Sequence, residues 1–112
     1  MAMKSRRDVA RILLGSLEEQ VMLAVVRTKC EAYGMNVRRE LEAVTGRTVT
    51  IGSVYATLDR LESKGLVASN RVGGADAASR RVFAVTAPGA RSLTETRATR
   101  DRLWTGVKIR AV

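Results

Sequence analysis

Ile51-Gly52-Ser53-Val54-Tyr55-Ala56-Thr57-Leu58-Asp59-Arg60-Leu61-Glu62-Ser63-Lys64-Gly65-Leu66-Val67 reads as a short helix that stops at a glycine and runs directly into a strand. Val54, Leu58 and Leu61 recur at helical spacing and are expected in the core. Gly52, Ser53, Ala56, Thr57 and Arg60 are then expected on the opposite face. That face is small and hydrogen-bonding with one long cation, which suits a helix laid into the DNA major groove. A helix face with no such task is usually richer in Glu and Lys. Gly65 stands where a helix end needs a residue tolerant of the left-handed conformation, so the helix is expected over about 52–64.

Downstream, Leu66–Val72 is β-like, Gly73–Ser79 is a tip rich in small residues, and Arg80–Thr86 reads as the returning strand. Alternation puts Val82, Ala84 and Thr86 on one face and Arg81, Phe83 and Val85 on the other. Pro88 suits the first turn of a last helix. Upstream, Ser16 with Glu19 is a capping-box pattern opening a helix over about Leu17–Cys30. Leu17, Val21, Ala24, Val25 and Thr28 form its stripe, widened by Met22, Leu23 and Val26, so burial over much of its circumference is expected. Glu31–Gly34 is a turn, and a helix over about Met35–Val44 turns Val37, Leu41 and Val44 inward and Arg38, Arg39, Glu40 and Glu42 outward. Thr45–Thr48 turns the chain toward the 52–64 helix, which Thr50 or Ser53 can cap. Asp8–Leu14 is expected to form a short leading helix. Three helices followed by a two-stranded wing make a winged helix-turn-helix, mainly α with a small β-hairpin, over residues 1–88. Residues 89–112 are expected to form an additional C-terminal dimerisation helix.

The chain has 112 residues, enough for one domain, and only 4% are aromatic. Val, Leu, Ala and Ile must build a modest core, which favours help from a partner subunit. The net charge of +9 is unevenly placed: +3 over residues 1–15, zero over 16–65, +2 over 66–90 and +4 over 91–112. Clustering at the ends and in the hairpin points to a polyanion; a basic surface that is merely solvated is the plainer alternative. Cys30 is the only cysteine, which rules out an intrachain disulfide and is expected to be a buried or half-buried small apolar residue. Ile12-Leu13-Leu14 is too short for a signal-peptide core, and no apolar run has membrane-spanning length. A soluble cytoplasmic protein with no membrane contact is expected. The chain has no His, hence no histidine base or metal ligand, and no glycine-rich phosphate loop follows a strand. No enzyme activity, metal or cofactor is expected.

The 51–67 run resembles the recognition helix of the PadR family of bacterial transcriptional regulators, with Ser53, Tyr55, Leu58, Leu61, Gly65 and Leu66 in place. The resemblance extends from about Leu14 to Gly89. Tyr33-Gly34 is similar to an aromatic-glycine pair that opens the family's second helix, and Arg81–Thr86 followed by Gly89 is similar to its second wing strand and the start of its last helix. Ile51 and Ala56 depart from it, since family members often carry proline there. The resemblance implies a homodimer built from the last helix with help from the N-terminal one, acting as a repressor on a pseudo-palindromic operator. It also implies release by a ligand, in some relatives held between subunits by aromatic residues on that helix.

Among individual residues, Ser53, Ala56, Thr57 and Arg60 are the expected base readers. Arg60 is suited to guanine and Ala56 to a thymine methyl, with a surface salt bridge as the alternative for Arg60. The resemblance gives Tyr55 a phosphate contact; otherwise it is a partly buried core aromatic. Arg80 and Arg81 at the wing suit a phosphate or the minor groove, or are simply solvated. Leu93, Thr96, Arg100, Leu103 and Val107 follow heptad-like spacing, and Leu93, Leu103, Trp104 and Val107 are the expected dimer contacts, with Trp104 the anchor. A rival function keeps the fold as a protein-interaction or architectural module with weak non-specific DNA binding. A second rival is a ligand sensor centred on Trp104.

Overall fold

The computed structural model describes residues 13–73 and 80–112. The helix expected at Asp8–Leu14 and the tip expected at Gly73–Ser79 lie for the most part outside them; the described end of the former, Leu13-Leu14, is not helical. Helix α1 spans Ser16–Thr28 and is followed by a single 3-10 turn, Lys29–Glu31. Helices α2 and α3 span Gly34–Thr45 and Ile51–Ser63, strands β1 and β2 span Val67–Val72 and Arg80–Val85, and helix α4 spans Ala87–Trp104. The two strands pair antiparallel from Val67 opposite Val85 to Val72 opposite Arg80. This is the winged helix read from the sequence.

Val21, Met22 and Val25 of α1, Val37 and Leu41 of α2, and Val54, Leu58 and Leu61 of α3 converge with Leu66, Val67 and Phe83 in one buried cluster. Each such side chain contributes about 1.5–3 kcal/mol by leaving water. Phe83 has the largest volume of the fully buried side chains, and its backbone N–H donates to the carbonyl of Ala32 at 2.9 Å. With Tyr33 bridging to Val82, the Ala32-Tyr33 segment joins the wing's edge, a pairing that its turn-like sequence does not announce.

Both ends of α3 are fixed. The Thr50 hydroxyl accepts the Ser53 N–H at 3.0 Å, which makes Thr50 the cap. At the other end Gly65 takes φ +77°. Its N–H donates to the Glu62 carbonyl, and the next N–H, of Leu66, donates to that of Leu61, both at 2.9 Å. That is a Schellman closure, and the strand begins directly after it.

The turn before α3 is held by Glu42, whose carboxylate accepts the Val49 N–H at 2.8 Å and the Arg38 Nε at 3.4 Å. The Val49 hydrogen bond and the Arg38 charge hold the Glu42 carboxyl below its ordinary value, against a smaller opposing effect of burial. A carboxyl whose folded pKa is depressed adds stability above its unfolded pKa, and that stability is lost as pH falls through the folded value. Glu42→Gln is therefore expected to lower Tm near neutral pH, with the gap to wild type closing below about pH 4.5. Thermal unfolding across that range checks it; a gap that stays constant with pH would mean the charge is not the cause.

Several expectations are corrected. Helix α1 is capped one residue earlier than expected: Gly15 is the N-cap, and its N–H donates to the Glu18 carboxylate at 3.0 Å. The Lys64 ammonium also reaches Glu18, at 2.8 Å, tying the start of α1 to the end of α3 and holding that carboxyl below its ordinary value. Leu23, Val26 and Val44 are exposed rather than inward, because one layer of neighbours covers only one side of α1 and α2. Together with Leu41 they line an apolar groove between those helices. Cys30 is exposed, being in the 3-10 turn rather than in the helix.

The first half of α4 belongs to the core. Thr86 caps it by accepting the Gly89 N–H at 3.1 Å, while its hydroxyl donates to the Gly65 carbonyl at 2.7 Å. Gly89, Ser92 and Thr96 are buried. The Thr96 hydroxyl accepts the Leu14 N–H at 3.0 Å, and Arg100 pairs with Glu19 of α1. The heptad-like positions Thr96 and Arg100 thus serve contacts within the chain.

Candidate nucleic-acid interface

Helix α3 shows Gly52, Ser53, Tyr55, Ala56, Asp59, Arg60 and Ser63 to solvent. Ser53, Ala56 and Arg60 stand where the sequence places them. Thr57 does not: it is 1% exposed, because it continues the Val54–Leu58–Leu61 edge, and its hydroxyl accepts from the Arg60 guanidinium at 3.2 Å. A side chain so buried cannot reach a base, and Thr57 instead steadies Arg60. The Ser53 hydroxyl accepts from the Thr50 hydroxyl at 2.9 Å, which leaves its own proton available.

Tyr55 is half-exposed on the flank that faces α2 and the wing. Its ring lies directly over Gly34: a Cβ added there would come within 2.3 Å of the Tyr55 Cζ. The Tyr33-Gly34 pair thus has a physical reason in this chain. Glycine leaves room for the tyrosine, and Tyr33 carries the Arg80 guanidinium over its ring at 4.3 Å.

Arg81 is placed differently from its wing neighbour. Its guanidinium pairs with Asp59 at 3.1 Å and Glu62 at 2.8 Å and lies 4.8 Å from the centre of the Phe83 ring. Burial alone would lower its pKa; the two carboxylates outweigh that and raise it. An arginine held by two acids is a strut between the wing and α3, in place of the outward phosphate contact expected of it. Glu62, which reads in the sequence as a solvated charge, is the other half of that strut, since it also accepts the Ser69 N–H at 3.2 Å and its hydroxyl at 2.9 Å.

Between α2, α3 and the wing lies an open hollow of about 650 Å³ lined by Tyr33, Met35, Arg39, Tyr55, Arg71, Arg80 and Arg81. Among the described residues, no carboxylate forms an ion pair with Arg39, Arg71 or Arg80. Nothing in its strand sequence singles out Arg71; the register that sets it opposite Arg81 is what brings it here.

At the other end of the molecule, Leu93 packs partly against the chain's own core. Leu103, Trp104 and Val107 are all more than half exposed. Val107 follows Gly106, whose φ is +77°, so it lies beyond the end of α4 and not on the helical stripe expected for it. Among the described residues no group of three or more metal-ligating side chains comes together, and no helix is long and apolar enough to cross a membrane.

Residues 22–95 match the Transcriptional regulator PadR-like family. No curated protein matches the chain significantly. Among solved structures, the chain is similar to a PadR-like transcription factor from Bacteroid fragilis, with a TM-score of 0.70 and 25% identity over 92% of each chain. A PadR family transcriptional regulator from Eggerthella lenta DSM 2243 gives a TM-score of 0.62 and 28% identity over 80% of each chain. The hsRosR-S4 complex gives a TM-score of 0.68 and 25% identity, over 91% of this chain and 83% of that one.

Proposed function

This chain belongs to the PadR-like family of transcriptional regulators, and on that footing we propose that it is a cytoplasmic homodimeric repressor that binds a pseudo-palindromic operator in double-stranded DNA. The observation that carries the proposal is the outward face of α3. Gly52, Ser53 and Ala56 leave it low enough to approach base edges, and Arg60 flanks it. The cationic hollow beside it suits the phosphate backbone, with Tyr55, Arg80, Arg71 and Arg39 at hand. In this assignment Arg81 acts through Asp59 and Glu62, and Thr57 through Arg60.

The exposed apolar end of the chain, Leu103, Trp104 and Val107, is where a second copy would pack, with the partly covered Leu93 at its margin. Two recognition helices would then enter successive major grooves about one helical turn apart. A small-molecule effector would release the DNA by favouring a dimer in which that spacing is lost, and Trp104 would report its binding by fluorescence.

Selection of bound duplexes from a random library at about 0.15 M salt tests the proposal. An enriched inverted repeat with half-sites near one turn apart is expected. Retention without a motif would indicate an architectural module instead, and no retention a protein-interaction module. On the selected duplex, Arg60→Ala is expected to cost about 1–3 kcal/mol and to relax one base position per half-site. Unchanged affinity and preference would remove Arg60 from the base-reading set.

A further inference from the structure

Asp59 is an acid on the face proposed to meet DNA. Its side chain is 60% exposed, between Ala56 and Ser63 on the outward side of α3. A carboxylate there repels phosphate and adds nothing to general affinity, in a chain whose net charge is +9. The fold pairs it without burying it, and the arginine it pairs with is shared with Glu62, so a net negative charge remains. Arg81 pairs with one of its oxygens, Oδ1, while the other, Oδ2, accepts no hydrogen bond from the described residues. Glu62, one turn further on, has both oxygens engaged by Arg81 and Ser69. Of the two acids the arginine holds, one is fully engaged with the wing, and the other keeps an acceptor oxygen without a partner among the described residues on a largely exposed side chain.

Resting on the DNA-binding reading above, we propose that Asp59 is a specificity-determining residue that accepts a hydrogen bond from the exocyclic amine of a cytosine in the major groove, with Arg81 as the positioning residue that orients it. Cytosine offers a donor and no acceptor on that edge, whereas adenine sets an acceptor beside its donor, and guanine and thymine present acceptors. A fixed carboxylate therefore rewards one base and penalises the rest, which yields discrimination at little gain in affinity. The guanidinium makes this feasible. It offsets part of the charge that would repel the strand, and it is itself held by Glu62 and by stacking on Phe83. Because it takes up Oδ1 alone, Oδ2 is left free to accept from a base.

The test is the random-duplex selection run in parallel on the full-length wild-type, Asp59→Ala and Asp59→Asn proteins, with affinities then measured on duplexes varied at one position. The wild type is expected to enrich a cytosine at one position per half-site. Asp59→Ala should lose that preference about tenfold or more while binding unrelated duplexes more tightly, because a repulsive charge is gone. Asp59→Asn should shift the same position toward adenine, whose adjacent donor and acceptor a carboxamide matches. A wild-type motif reproduced unchanged by both variants would overturn the role of Asp59 and leave the regulator reading intact. So would an even loss of affinity with no change of preference. Failure of the wild type to enrich any motif would overturn the DNA-binding reading, and this inference with it.

Discussion

Gly89→Ala is expected to lower the unfolding free energy by about 3 kcal/mol, a large part of the roughly 5–15 kcal/mol that a domain of this kind possesses. A Cβ at position 89 would lie 2.0 Å from the Leu66 carbonyl oxygen and 3.0 Å from the Met22 methyl. The methyl can turn aside, but the carbonyl cannot. It belongs to the junction between α3 and β1, where it accepts the Thr86 N–H at 3.1 Å. Relief would require α4 to lift from the body, breaking the Thr86 cap and exposing Ser92 and Thr96. Gly52→Ala is the control. Nothing lies within 4 Å of a Cβ there, so the same change in a solvent-facing helical turn should raise stability by up to about 1 kcal/mol. Denaturant unfolding of both variants measures the contrast. Equal small effects would show that α4 does not press on the α3–β1 junction.

Gly34→Ala should do its damage in function. The added methyl would occupy the place of the Tyr55 ring, with Cζ at 2.3 Å and the hydroxyl oxygen at 2.4 Å. Tyr55 is half-exposed and can swing outward, so the fold survives at a cost of about 1 kcal/mol. Its hydroxyl leaves the rim of the cationic hollow, and the Tyr33–Arg80 stack at the same rim loses its neighbour. If that hydroxyl contacts a phosphate, affinity for operator DNA falls by about 1.5–3 kcal/mol, the worth of a hydrogen bond to a charged group. Tyr55→Phe should reproduce most of the loss without touching Gly34. A folded Gly34→Ala protein with unaltered DNA affinity would return Tyr55 to a packing role.

The fold was legible in the sequence because its signals are local and agree with one another. Val54, Leu58 and Leu61 repeat at helical spacing, Gly65 ends the helix, and two β-like runs follow at once. What the sequence hid arises from contacts between distant segments. The pairing of Arg81 with Asp59 and Glu62 depends on how the wing folds back on α3, and charge alone cannot distinguish such a strut from a free arginine. Thr57 belongs by spacing to the Val54–Leu58–Leu61 edge, and only its hydroxyl argues for the outer face; packing follows the spacing. Thr96 and Arg100 imitate a heptad seam in a linear reading, yet they are occupied by Leu14 and Glu19 of the same chain. The exposed Leu23, Val26 and Val44 mark the converse error, since apolar periodicity shows what can be buried and not what is covered.

The most direct measurement is the affinity of the wild-type chain for its selected duplex and for a scrambled duplex of equal length and composition, at one salt concentration and with the number of chains per duplex determined in the same titration. Operator recognition by paired α3 helices predicts two chains per duplex and a preference of about a thousandfold or more for the selected sequence. Equal affinities for the two duplexes would contradict it, leaving a basic winged helix that holds DNA by its phosphates alone.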